Sequence, residues 1–394
     1  MSKTVNKAQQ LAFILLGITI PTTIAGTNMA IGLLALLWIL EGNFKNKFNV
    51  IKSSKWILSI FALIVFYALG MLWGDIHLNA NWQFQRLALL LVFPVLGTMN
   101  LKQETIRSGV VVFLITTFIS AIVSIAINNN IILPIDEYFS FINYDWQISA
   151  FIKYNYHNVL LSLAFTISLY ILIEKKSKYK PALVLFIIAY AISIFTERGR
   201  AGQVIFNLSA VFHIVYYNRK NLLKLLAFLI LLFSFQFIVY KTTKVYKDRL
   251  DAVSNIIANK GDRGEGKTED IRYVFIKESL TRILEKPLMG YGTGSFGTIF
   301  DNEVKSGHDF QFHRTPHNQY LYVLFELGIL GLLLLLSIFY YQIKDLIVKK
   351  DGIPRVLLPL SFMVLMLVDS YFFIFILTIA YIFLYTIYSR YESE

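Results

Sequence analysis

The chain has 394 residues, enough for two or three soluble domains, but hydrophobic residues make up 56% of it and charged residues only 16%. At a mean hydropathy of +0.58, that much apolar surface cannot be hidden from water, whereas a bilayer accommodates it, so a soluble enzyme is excluded. There are no cysteines, which removes disulfides and thiolate metal sites, and the net charge of +12 has to be judged by where it falls.

Lys3 and Lys7 precede the first apolar run, and no small-residue cleavage site follows, so the first span is expected to be retained. A helix needs about 20 apolar residues to cross the hydrocarbon core. Twelve candidate spans follow in order: 10–27, 28–41, 55–73, 86–99, 108–128, 154–173, 181–196, 202–217, 221–240, 317–343, 355–370 and 371–389. The predicted fold class is therefore all-α, a polytopic membrane protein. Residues 1–240 carry nine spans, 241–316 form a long loop with amphipathic helices, and 317–394 carry three more.

Charge placement orients these spans. Lys45, Lys47, Lys52 and Lys55 follow the second span, and Lys102 and Arg107 follow the fourth. Lys175, Lys176, Lys178 and Lys180 follow the sixth, and Arg219, Lys220 and Lys224 the eighth. Lys344, Lys349, Lys350 and Arg355 follow the tenth. The odd exit 74–85 has no Lys or Arg. The positive-inside rule then predicts both termini in the cytoplasm. The charge reflects topology, and nucleic acid is not an expected partner. Three segments fall outside: 129–153, the turn 197–201 and the loop 241–316. That loop holds thirteen Lys/Arg against eleven Asp/Glu, an exception that long translocated loops allow. A loop of this length is usually functional, so the site is expected on the periplasmic face.

Two motif matches fail on context. Gly261-Asp-Arg-Gly-Glu-Gly266-Lys267-Thr268 fits the P-loop pattern, but a P-loop needs a buried strand before it and an α/β domain around it. The preceding stretch is polar and helix-like, so no nucleotide is expected. Gly292-Thr-Gly294-Ser-Phe-Gly297 fits G-x-G-x-x-G without the required strand. It reads instead as a flexible turn closing a helix over Asp270–Glu285, whose end Lys286-Pro287 marks.

Four constellations can carry chemistry. Thr196-Glu197-Arg198-Gly199-Arg200-Ala201-Gly202-Gln203 lies between two spans, and guanidiniums held there suit a diphosphate. The bland reading is a charged cap among lipid headgroups. Arg272 opens the amphipathic stretch IRYVFIKESLTRILEKPLMGYG, which suits an interfacial helix, and by itself is better explained as a solvated or headgroup-facing residue. His313-Arg314-Thr315-Pro316-His317-Asn318-Gln319-Tyr320-Leu321 leads into the tenth span. A histidine there can take a proton from an attacking hydroxyl, and the helix N-terminus favours an anion. A capping histidine is the alternative. Tyr154-Asn155-Tyr156-His157-Asn158 opens the sixth span and can line the same cavity or serve packing. His308 and His313 could join His317 around a metal, but the usual acid spacing is absent, so neither metal nor cofactor is expected.

In order, an Arg-Gly turn, a long outer loop, an Arg before an amphipathic helix, Pro-Leu-x-Gly-x-Gly-x-x-x-Phe, and His-Asn-x-x-Leu opening a span with Gly-x-x-Gly resemble the O-antigen ligase and polymerase superfamily. The fragments are GRAGQ, EDIRYVFIKESLTRILEKPLMGYGTGSF and HNQYLYVLFELGILG. The order of elements spans essentially the whole chain, and about 196–331 carries the specific motifs. The resemblance implies transfer of a glycan from undecaprenyl diphosphate to a lipid A–core sugar without ATP or metal. By position, His317 would be the base or acceptor-orienting residue, and Arg200 and Arg272 would bind the diphosphate. Arg198 could take the place of Arg200. His313, Arg314, Asn318, Tyr156 and His157 would contact substrate, and Glu197 departs from what a phosphate site favours. A repeat-unit polymerase of the same superfamily is the nearest alternative, though 129–153 is a modest second loop. A transporter is the third reading, but the ionisable candidates gather on one face and not at mid-span.

Overall fold

The computed structural model describes residues 3–74, 78–133, 148–175, 178–258, 268–304 and 315–391. The P-loop-like segment 261–267 lies outside the described residues. The first apolar stretch splits into α1 (Lys3–Thr19) and α2 (Ile24–Glu41), packed together. The expected division at 27/28 is corrected to the turn around Pro21, where Thr23 Oγ1 accepts from Gly26 N at 3.2 Å and caps α2. Hydropathy runs straight across that turn, so only its chemistry marks it. A bend of 91° separates α3 (Phe44–Ser53) from α4 (Lys55–Gly70).

The fourth expected span is three pieces: α5 (Leu78–Ala88), a 3-10 turn (Leu89–Leu91) and α6 (Val92–Thr98). After α7 (Gln103–Asn128), a two-stranded ribbon pairs β1 (Ile148–Ser149) antiparallel with β2 (Ile152–Lys153) and delivers the chain into α8 (Tyr154–Glu174). There follow α9 (Lys180–Thr196), α10 (Arg200–Asn218), α11 (Leu222–Thr242) and, in the long loop, α12 (Lys244–Ala258), α13 (Thr268–Glu285) and α14 (Ser295–Val304). The chain closes with α15 (Gln319–Ile347), α16 (Gly352–Val368), a 3-10 turn (Tyr371–Phe373) and α17 (Phe375–Arg390).

Among the described residues, α2, α7, α8, α11 and α15 are each long and apolar enough to cross a membrane alone. The bent pair α3 and α4 can form a sixth span, while α9, α16 and α17 are apolar but shorter. The chain is thus all-α and polytopic. Helix α17 is buried along nearly its whole length, from Ile376 to Tyr388, at the centre of the bundle. Helix α11 is the opposite, with Leu223 82% and Phe233 71% exposed. Such a face is stable against lipid and costly against water.

The best-defined irregular backbone lies within α15. Gly328 has φ 62° and ψ −164°, which breaks the helical hydrogen-bond ladder. The loop that follows α13 fills the break. Tyr291 N donates to Phe325 O at 2.9 Å, Gly292 N to Glu326 O at 2.7 Å, and Ile329 N to Pro287 O at 2.8 Å. Thr293 N donates to Gly70 O at 3.1 Å, and its hydroxyl to Tyr67 O at 2.6 Å. The buried Glu326 carboxylate receives Gly294 N at 3.1 Å and the Gln83 amide. The glycine turn read as flexible from the sequence is therefore a docked plug, corrected because its N–H groups complete a broken membrane helix.

Glycine is required where the backbones meet. Gly292 has φ 92°, and a Cβ on it would sit 2.3 Å from Gly74 Cα. Gly292→Ala is expected to destabilise the fold by more than about 1 kcal/mol, read as a lower melting temperature of the purified protein. Gly32→Ala, where nothing lies within 4 Å, should leave the melting temperature near the parent's; equal effects would refute the plug.

Candidate active site

The site is built around the start of α15. Pro316 leads into His317, whose φ of 53° is left-handed and uncommon for a side chain of this size. Asn318 caps α15, its Oδ1 accepting from Tyr320 N and Leu321 N at 3.0 Å each. Its Nδ2 donates to Leu367 O at 3.1 Å. The Asn318 amide, expected at the substrate, is instead committed to the fold, because a helix start needs an acceptor for its first N–H groups.

The His317 Nδ1 lies 3.1 Å from Asp369 Oδ1. An ionised carboxylate can only accept, so this contact assigns the hydrogen to Nδ1 and the basic lone pair to Nε2. Asp369 ends α16, and its Oδ1 also accepts from Ser370 N at 2.7 Å. The pair is partly open, with side chains 29% and 22% exposed.

Further groups gather at this carboxylate. Tyr156, in the first turn of α8, is within electrostatic reach of both Asp369 and Arg86. Lys153, just before α8, has its Nζ 5.8 Å from the centre of the Tyr156 ring. Burial holds the Lys153 ammonium below its ordinary value, with Asp369 pulling the other way. Arg86, on α5, lies over the Trp82 ring at 5.5 Å.

Helix α13 reaches the same histidine. Phe275 is buried with its ring 6.3 Å from that of His317, and it packs on Phe296 and Phe300 at 6.1 and 5.5 Å. Phe296 in turn meets Tyr322 and Phe325 of α15 at 5.7 and 5.3 Å. Arg272 precedes Phe275 by three residues on α13, and its side chain lies outside the described residues. His313 and Arg314 lie outside them altogether.

The arginine turn rests on α8 two residues further along, at Asn158. A Cβ on Gly199 would come within 2.5 Å of Asn158 Cβ, and one on Gly202 within 2.0 Å of Asn158 Oδ1. Asn158 Nδ2 donates to Ile194 O at 2.9 Å, tying α8 to the end of α9. The glycines of Gly-Arg-Ala-Gly thus let the turn lie directly on α8. Arg200 begins α10 half-buried, and Arg198 is exposed.

Between these two regions sits a buried polar network. His157 is fully buried, with Nδ1 2.7 Å from Glu197 Oε1 and Nε2 2.7 Å from Ser120 Oγ. Ser124 and Ser193 donate to the same Glu197 oxygen at 2.6 and 2.9 Å, and Ser124 also meets Ser149 of the ribbon at 2.8 Å. His157 was expected with Tyr156 at the substrate. The structure corrects this, because adjacent helix positions point about 100° apart and both its ring nitrogens are engaged in the interior. Tyr156, His157 and Asn158 are consecutive, so the His317–Asp369 pair, the Glu197 network and the arginine turn all adjoin one turn of α8.

Sequence reasoning missed Asp369, Arg86 and Lys153, and read Glu197 only as a liability. Asp369 is an acid at a tight turn between apolar spans, and Arg86 stands at the outer end of one, against the charge bias. Those were the available signals.

Burial alone would raise the Glu197 carboxyl, but His157 and the hydroxyls of Ser124 and Ser149 outweigh it and hold the group below its ordinary 4.5. A depressed carboxylate contributes stability that is present above the ordinary value and lost as pH falls through the folded one. The parent should therefore lose melting temperature on acidification below 4.5, and Glu197→Gln should flatten that decline. Glu197→Ala should cost about 1–3 kcal/mol at neutral pH. Superimposable melting profiles for parent and Glu197→Gln would remove the network from the stability of this turn.

No curated protein matches the chain. Residues 182–336 match the family model described as O-antigen ligase, a stretch that runs from α9 through the arginine turn, α13, the glycine plug and His317 to beyond the Gly328 break. Over that stretch the chain is similar to the O-antigen ligase family.

Proposed function

We propose that this protein is a membrane glycosyltransferase of the ligase type, moving a glycan from undecaprenyl diphosphate to a sugar hydroxyl of lipid A–core, without metal or nucleotide. The observation that carries this reading is the His317–Asp369 pair at 3.1 Å, set at the same turn of α8 as the Gly199-Arg200-Ala201-Gly202 turn. The O-antigen ligase match over residues 182–336 supports it. On this reading the His317 end faces the periplasm, and both termini lie in the cytoplasm of the inner membrane, as the basic exits require.

The chemistry follows from charge and geometry. The acceptor hydroxyl gives its proton to His317 Nε2 as its oxygen attacks the anomeric carbon. The bond from that carbon to the diphosphate oxygen breaks, and undecaprenyl diphosphate leaves. Asp369 stabilises the imidazolium that forms, a task suited to a carboxylate on Nδ1–H. The departing diphosphate gathers negative charge, which Arg200 and Arg272 neutralise, with Arg198 at the rim. Lys153 and Arg86 add positive potential beside Tyr156, where the glycan would lie. A single displacement from the opposite face inverts the anomeric centre.

Transfer from a synthetic polyprenyl-diphosphate glycan to purified lipid A–core tests this. His317→Ala should lose about 10²–10⁴-fold in rate, and Arg200→Ala should be severely impaired. Lys267→Ala should be nearly silent, and its inactivity would reopen a nucleotide site. Asp369→Asn should lose roughly 10-fold or more while keeping its melting temperature. Full activity of His317→Ala, or a product retaining the donor's configuration, would overturn the mechanism. In a deletion strain, single-repeat caps in place of bare core would identify a polymerase. Since the chain has no cysteine, single cysteines introduced at 198 and 317 should both label from outside intact cells. Labelling on opposite faces would abolish the shared pocket.

A further inference from the structure

At the far end of α15 from His317, about 40 Å away along a helix of 29 residues, the bundle opens into a second polar space. This cavity of about 560 Å³ is lined by Gln103, Lys349, Lys350, Arg355, Ser389 and Arg390, with Leu101 and Tyr391 at its edge. Three elements supply the cations, the turn after α15, the start of α16 and the end of α17, and the start of α7 adds Gln103. Among the described residues, its lining contains four basic side chains and no acidic one.

Two acids of the neighbouring turn and helix end are engaged elsewhere. Asp351 pairs with Lys175 at 2.7 Å, and Asp345 accepts from the Tyr385 hydroxyl at 3.3 Å. Arg390 is steadied by the carbonyls of Met99 and Gly97, which do not cancel its charge. Arg355 is the most informative member. It is 2% exposed, its guanidinium donates to Tyr388 O at 2.7 Å, and its Nε has no hydrogen-bond partner among the described residues. A buried guanidinium N–H without an acceptor is costly, and an anionic oxygen in the cavity would remove that cost.

Cations gathered at the end of a helix long enough to cross the membrane match an anionic headgroup whose hydrocarbon tails lie in the surrounding bilayer. Basic pockets between membrane helices take such headgroups. We infer that Lys349, Lys350, Arg355 and Arg390 form a binding site for the phosphate headgroup of an anionic phospholipid. On the proposed orientation this lipid comes from the cytoplasmic leaflet. That reading decides only which leaflet supplies it, not whether it binds.

The test uses the full-length protein in detergent, titrated with phosphatidylglycerol, phosphatidylcholine or inorganic phosphate. Bound lipid is counted by native mass spectrometry and its effect read as melting temperature. Phosphatidylglycerol should bind and raise the melting temperature, and phosphatidylcholine should do neither. Lys349→Gln/Lys350→Gln should weaken phosphatidylglycerol binding by roughly 30-fold, from the usual contribution of two lysines near an anionic lipid. Because Arg355 is buried and its removal can disturb folding, the lysine double variant carries the test. Lys45→Gln/Lys52→Gln, whose lysines are exposed and do not line the cavity, should bind as the parent does. Equal loss in that control, equal binding of phosphatidylcholine, or full saturation by inorganic phosphate alone would each overturn the site. None of these readouts depends on glycan transfer, so an inactive transferase that still binds lipid would count against the proposed function and not against this site.

Discussion

A backbone N–H or C=O in apolar surroundings must find a partner within the protein, and the break in α15 is where this chain meets that demand most directly. At Gly328 the helix ladder stops, leaving carbonyls of Phe325 and Glu326 and the amide of Ile329 to be satisfied from elsewhere. The loop 287–293 satisfies all three, using glycines so that backbone can lie on backbone. This one repair joins distant parts of the sequence. It pins the end of α13 to the middle of α15, and through Thr293 it pins both to the end of α4. Since α15 begins beside His317 and α13 contains Arg272, the plug fixes the spacing between the candidate base and a candidate phosphate ligand. Irregular backbone at membrane depth is tolerated where protein surrounds it, and here it does positional work.

A second polar assembly governs the other half of the site. Glu197 is the residue that ends α9, and four side chains converge on its buried Oε1 or on the groups that hold it. An acid next to two arginines reads as a defect for phosphate binding while the turn is imagined as exposed. Folded, the carboxylate points inward to His157, Ser124 and Ser193, while Arg198 is exposed and Arg200 half-buried. Its charge is spent on the interior, and the arginines are held by the turn it anchors. The same logic separates Tyr156 from His157: one serves the Asp369 environment and the other the Glu197 network, through nothing more than helical angle.

The two ends of the bundle then divide their tasks by the company their cations keep. Near His317, Lys153 and Arg86 share space with a carboxylate and aromatic rings, an arrangement suited to positioning a polar substrate and moving a proton. Beyond Ile347, cations surround an open cavity without acids in its lining, an arrangement suited to holding an anion in place.

Much of this protein was legible from residue order alone. Apolar length and the alternation of basic exits identify an all-α membrane protein, because transfer free energy and backbone satisfaction depend on local composition. His317 and the Arg200 turn were visible as polar groups where apolar spans begin, and the motif order pointed to the superfamily that residues 182–336 match. What composition could not reveal were partnerships across distance. Asp369 lies 52 positions from His317, and Gln83 lies 243 positions from Glu326. The turn at Pro21 was hidden inside continuous hydropathy, and the glycine plug passed for a loose connection because its partner is a gap in another helix. Hydrophobic patterning dictates which segments enter the membrane. Which polar side chain then meets which is decided only when the helices pack, since that choice depends on satisfying buried groups together and not one by one.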